Sequence, residues 1–314
     1  MPPNRKEIES ETSSSLPAVA PPATSGSSPN LFQSAVLSPI SLASQLPFDI
    51  LTRVFDEYAL METAEYPTET LLLVCKWWQQ TALNYTRLWA TINVKSRDVK
   101  FWCGCLPQRL RRCHPGSLLD ISIAFPAVGT NKFESRPYEA VLATLTGQDG
   151  EVARRWRKFS ASCLYHKVLG KYLGIPTPNL QEIRLTHVQI NALIFPHTPS
   201  LKVFYAHDVI LSAFPNLTTA VDVAISGFTS AYDQDLVEAP NITTLRLLRF
   251  ISLTGYSIAR KFRHLKYLEI RGYLSNDEVC HFASPALEQL SLIMYEPSHV
   301  HRTLSCKGVP FKQI

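Results

Sequence analysis

One pattern limits what this chain can fold into more than any other. A turn is followed by L-x-x-L-x-L at Pro178–Leu185, Pro199–Ala206, Pro240–Leu247, His264–Ile270 and Pro285–Leu292, with a partial copy opening at Pro215. Its leading apolar residues, 180, 201, 217, 242, 265 and 287, stand 21, 16, 25, 23 and 22 apart. That spacing is close to the roughly 20–29 residues of leucine-rich repeats. Earlier copies fit at Trp156-x-x-Phe159-x-Ala161, Leu118-x-x-Ile121-x-Ile123 and Trp89-x-x-Ile92-x-Val94.

The last three positions of L-x-x-L-x-L alternate as a strand does, sending every second side chain inward. A lone repeat leaves that apolar edge bare, so neighbours stack into a solenoid with a parallel sheet along one side. Short helices are expected on the other side. One is Pro137 to Leu145, stopped by Gly147, which accounts for the wide gap between positions 118 and 156. Another follows the capping box Ser275–Glu278, ahead of Val279, Cys280 and Phe282. The copy at Leu217 is irregular. A strict register buries Asp222, so a one-residue shift that buries Val221 and Val223 is expected. Phe311-Lys-Gln-Ile314 begins a further L-x-x-L and ends without a polar cap, which predicts an open parallel edge and a solenoid cut short.

Residues 1–44 are rich in Ser, Pro, Ala and Thr with almost no aromatic anchor, and are expected to be a disordered tail. Its first residues mix charges and lack a signal peptide's apolar segment. Ser28-Pro29 and Ser38-Pro39 have the form of proline-directed phosphorylation sites. No apolar run of about 18 residues occurs, so no membrane helix is expected.

Leu46–Trp89 has its own character. Pro47 suits a first helical position, and Ile50, Leu51, Val54, Phe55 and Tyr58 then recur at helical steps. Leu71, Val74, Cys75, Trp78 and Ala82 repeat the device, and Leu88-Trp89 closes the unit. About 45 residues cannot cover so many large apolar groups alone; the rest of the chain or a partner must. Leu46-Pro47-x-Asp49-Ile50-Leu51-x-x-Val54-Phe55, followed by Val74-Cys75-Lys76-x-Trp78, Ala82 and Leu88-Trp89, resembles an F-box. The polar spacer Ala59–Thr70 is longer than in compact members of that family.

The resemblance implies a small helical module that docks on the Skp-type adaptor of cullin–RING ubiquitin ligases. Its adaptor-binding residues would be Leu46, Pro47, Ile50, Leu51, Val54, Phe55, Val74, Cys75, Trp78, Leu88 and Trp89. The expected layout is a tail over 1–44, the F-box over 45–92 and an irregular leucine-rich-repeat solenoid over 93–314, an α+β or α/β chain similar to fungal F-box families. Such a protein is a substrate receptor that supplies proximity to another protein's chemistry. A repeat scaffold or inhibitor with no ligase attached is the rival reading, and an F-box subunit working outside ubiquitination is a third.

Composition excludes less. The chain has 314 residues, 46% hydrophobic and 18% charged, enough for a large core. A net charge of +5 without clustered Lys/Arg and aromatics gives no sign of nucleic acid binding. Seven scattered cysteines and no secretory signal point to reduced thiols in cytoplasm or nucleus. Cys103-x-Cys105 and Cys113-His114 hold four possible zinc ligands, but a one-residue gap strains a shared tetrahedral site, so free thiols are expected. Sequons at Asn84, Asn216 and Asn241 carry little weight, two of them falling out of the Pro-Asn-Leu/Ile turn. There is no G-x-S-x-G, phosphate loop or H-E-x-x-H, so neither own catalysis nor a cofactor nor a metal is expected. The x positions of the strands hold Arg157, Lys158, Arg184, Lys202, Tyr205, Arg246, Lys266, Tyr267, Glu269 and Arg271. Arg pairs bidentately with carboxylate and phosphate, so an acidic or phosphorylated target is expected on a concave face.

Overall fold

The computed structural model describes residues 45–61, 68–125, 135–165, 167–190, 194–211, 214–227, 239–250, 262–272, 286–295 and 301–307. The tail over 1–44, the capping box at Ser275–Glu278 and the segment Phe311–Ile314 lie outside them. The described strands are β1 (Thr91–Val94), β2 (Leu119–Ala124), β3 (Trp156–Tyr165), β4 (Glu182–Ile190), β5 (Val203–His207), β6 (Ile210–Leu211), β7 (Asp222–Ser226), β8 (Thr244–Phe250), β9 (Tyr267–Gly272), β10 (Gln289–Tyr295) and β11 (His301–Lys307). They form one sheet in chain order, with short β6 set aside against β4. Pairing is parallel from β1 to β10, which makes the chain a repeat solenoid.

Register explains the pattern. Ile92, Ile121, Phe159, Ile183, Phe204, Val223, Leu245, Leu268 and Leu290 are aligned partners across β1–β5 and β7–β10, and all are buried. Two residues on, Val94, Ile123, Ala161, Leu185, Ala206, Ile225, Leu247, Ile270 and Leu292 make a second buried ladder. Each large member contributes about 1.5–3 kcal/mol of burial, and a one-residue slip would turn a whole strand's set to solvent.

The irregular repeat is corrected. Leu180, Leu201 and Leu265 each donate a backbone N–H to the carbonyl three residues back, and Ala220 does the same to Leu217. Ala220 therefore leads this repeat, a three-residue shift in which Leu217 fills the turn. Val223 is buried and Asp222 faces outward, as expected, but Val221 is 40% exposed, and Ala220 and Ile225 complete the inner face instead. The turn asparagines are structural: Asn179 donates to the Arg154 carbonyl and Asn241 to that of Thr218, each tying one repeat to the one before.

The described α-helices are α1 (Phe48–Met61), α2 (Lys76–Asn84), α3 (Thr86–Ala90), α4 (Val99–Arg112), α5 (Ser135–Thr146) and α6 (Lys167–Leu173), with a 3-10 turn over Thr68–Leu73. The helix expected at Pro137–Leu145 is α5. Gly147 ends it in the left-handed region (φ 73°), donating to Ala143. α4 packs on α5 and α5 on α6, and Trp156 Nε1 donates to the Leu145 carbonyl. Among the described residues no α-helix follows α6, so helices back only the early repeats there. Beyond β10 the sheet turns: β11 pairs antiparallel with it, so an open parallel edge does not border β10.

α3 runs directly into β1, and Leu51, Phe55, Leu88 and Trp89 belong to the same apolar cluster as the solenoid ladders. The helical segment and the first repeats therefore share one core.

Candidate interaction surfaces

α1 is apolar on two sides. Leu51, Phe55 and Ala59 face the core. Ile50, Val54 and Met61 recur at helical spacing on another stripe with Leu60 beside it, and these four are 38–64% exposed. The inner side is fixed by specific contacts. Phe55 meets Trp78 edge-on at 5.5 Å, and Tyr85 donates its hydroxyl to Asp56 at 2.9 Å. Trp77 Nε1 donates to the Leu46 carbonyl, and Trp89 Nε1 to that of Ala82.

The residues expected to bind an adaptor thus divide. Pro47, Ile50, Val54 and Val74 are exposed; Leu46, Cys75 and Trp78 are half-buried; Leu51, Phe55, Leu88 and Trp89 are buried in their own chain. The last four hold the unit together and offer a partner no surface. Phe48, Leu60, Met61, Leu73 and Leu83, which sequence reasoning did not single out, add to the exposed apolar groups. Their signal was available: an apolar residue where an amphipathic helix should turn polar.

The outer side of the sheet is the second surface. Ser160, Arg184, Tyr205, Ala224, Arg246, Glu269 and Ser291 form one aligned row across it. Lys158 and Tyr267 sit two residues earlier in their repeats, and Arg271 two residues after Glu269. Arg157, Lys202 and Lys266 lie just ahead of that face, where the backbone hands over from one repeat to the next.

Most of the bases on this face meet acids within the chain. Arg157 clasps Asp120 through two hydrogen bonds of 2.8 and 2.6 Å. Lys158 and Arg184 converge on Glu182. Arg246 reaches Asp222 and Glu269; Arg271 bonds Glu269, and Lys266 pairs with Glu288. Burial would raise the Glu182 pKa, but the bonds and charges of Arg184 and Lys158 outweigh it and hold it low. Burial lowers and the Asp120 bond raises the Arg157 pKa; the bond is the larger effect, and the net shift is upward. The face is a lattice of mixed charge in which most of the expected bases already meet an acid of the chain.

At its α1 end the face deepens into a cleft of about 360 Å³. Asp56, Leu60 and Arg87 form one wall, small Ser122 and Ser160 the floor, and Lys158, Glu182 and Arg184 the far side. Asn93 donates to the Leu60 carbonyl at 3.1 Å, which fixes the end of α1 over β1. The cleft offers charged groups of both signs beside apolar lining from Leu60, Ile92, Ile121 and Phe159.

The cysteine-rich stretch makes no centre among the described residues. Cys103 Sγ donates to the Pro137 carbonyl, and Cys103, Cys105, Cys113 and His114 do not converge as ligands. Burial pushes the Cys103 and Cys113 thiols up, keeping them protonated. No helix among the described residues is long and apolar enough to cross a membrane. No family model matches this chain, and no curated protein matches it at a significant level.

Proposed function

We propose that this chain is an F-box-type substrate receptor of a cullin–RING ubiquitin ligase acting in cytoplasm or nucleus. The helical segment docks on a Skp-type adaptor and through it on a cullin, and the outer side of the repeats holds a protein target. The observation that carries the reading is the double-sided α1: Leu51 and Phe55 anchor it to the solenoid, while Ile50, Val54, Leu60 and Met61 stay outside. Apolar groups gathered on a surface mark an interface. The F-box resemblance of Leu46–Trp89 says which partner covers them.

The target lies against the mixed-charge lattice and its cleft, where irregular leucine-rich repeats carry their specificity. An acidic or phosphorylated segment binds there by taking Arg184, Arg246 or Arg271 from its internal acid. The receptor contributes position, and the chemistry belongs to the charged enzyme brought near. Co-purification of the tagged chain with adaptor and cullin from a cell extract tests this. Recovery of both supports the receptor; recovery of neither leaves the solenoid a scaffold.

A further inference from the structure

Four residues at the same place in successive repeats share a left-handed backbone. They are His187 (φ 52°), Asp208 (φ 49°), Gly227 (φ 78°) and Arg249 (φ 58°), each one step beyond an aligned strand residue. Only glycine adopts this geometry freely; a non-glycine residue costs of order 1–3 kcal/mol, and such residues gather at functional positions. Three costs of this kind in one row of four call for a chemical reason.

The row brings together metal-ligating groups. His187 Nδ1 lies 3.5 Å from Asp208 Oδ2, and His207 Nε2 lies 3.6 Å from the same oxygen. The two imidazoles stand 5.5 Å apart, edge to face. One ligand atom from each of His187, His207 and Asp208 falls within 4.8 Å of the others, a convergence that no other such group makes among the described residues. At 3.5 and 3.6 Å the nitrogens are beyond ordinary N–H···O range. Zinc–ligand bonds of about 2.0–2.2 Å in a tetrahedron place ligand atoms about 3.3–3.5 Å apart, close to what is seen here. Arg249 reaches across Gly227 to hold both Asp208 oxygens at 3.1 Å. A Cβ on Gly227 would lie 3.4 Å from Asp208 Cα and Oδ1, so the missing side chain keeps this row open.

We propose that His187, His207 and Asp208 form a site for a borderline divalent ion such as zinc, with water as fourth ligand. Two imidazoles and a carboxylate are a donor set that suits zinc better than calcium or magnesium, which take oxygen ligands. Arg249 serves as the outer partner of the carboxylate, orienting Asp208 while its charge weakens the ion's hold. The site lies on the outer rim of β4 and β5, separate from the docking surface of α1.

The test is a zinc titration of the tag-free full chain against a chromophoric chelator. One zinc per chain is expected. His187→Asn, which keeps a residue tolerant of the left-handed backbone, and His207→Gln should each weaken binding about 10-fold or more. His114→Gln, beside the cysteine-rich stretch, should leave it unchanged. Both histidines are partly exposed, so melting curves of the metal-free variants should overlay the parent's. Equal zinc affinity in the parent and the His187→Asn/His207→Gln double variant overturns the site, as does loss of binding with His114→Gln alone.

Discussion

Arg109 closes the helix that carries Leu88. Its guanidinium donates to the Leu88 carbonyl at 3.0 Å, and also to the carbonyls of Trp89 and Thr91 and the hydroxyl of Thr68. The Leu88 and Trp89 carbonyls are among the acceptors that the end of α3 leaves without an intrahelical donor. The side chain is fully buried and lies 5.1 Å from the Trp102 ring centre. Arg109 thus fastens the helical segment to the first strand.

Replacing Arg109 with Met should cost about 3–5 kcal/mol, because several buried acceptors lose their donor together. Arg109→Lys should rescue little of this, since a single ammonium cannot reach acceptors spread around a planar fork. Urea unfolding of the three proteins checks it; a Lys variant within about 1 kcal/mol of the parent would contradict the fork geometry.

Glu182 gives the outer face a pH dependence. Its folded pKa is lowered, because its bonds to Arg184 and Lys158 outweigh burial. Its contribution is therefore fully present above the ordinary glutamate range and lost as pH falls through the lower folded value. Glu182→Gln should cost about 0.5–1 kcal/mol at pH 7, and the gap should close on strong acidification. A gap of constant size between neutral and acid pH would mean the charge does not matter.

Gly227 is the one freely left-handed residue in its row, and a Cβ there crowds Asp208. Gly227→Ala should lose about 1–2 kcal/mol in a chemical melt. A neutral substitution would show that the row relaxes without cost.

Much of the fold is legible in the sequence because it rests on period. The ladders through Ile183 and Leu185, or Leu245 and Leu247, follow from spacing alone, as does α5 with its Gly147 stop. What depends on register between repeats is not. Asp120 and Glu182 stand in x positions as plainly as Arg184 and Arg246, yet which acid meets which base is decided only when strands align. Ala220 is hidden for a related reason, since nearby Leu217 is the more conspicuous apolar residue. Arg109 gives no signal either, because an arginine in the last turn of a helix ordinarily belongs to solvent. On α1 spacing identifies the apolar positions, but their division between core and surface depends on where the solenoid lies.

The central claim rests on that division. Ile50 and Val54 are exposed, whereas Leu46 packs partly against the core and its carbonyl accepts from Trp77. The most direct measurement is the affinity of purified full chain for purified Skp-type adaptor, beside an Ile50→Asp/Val54→Asp variant. Interface anchors are worth roughly 2 kcal/mol or more each, so the variant should bind about 100- to 1,000-fold more weakly. Its melting temperature should match the parent's, because neither side chain supports the core. Absence of adaptor binding by the parent, or equal binding by the variant, would contradict the receptor account.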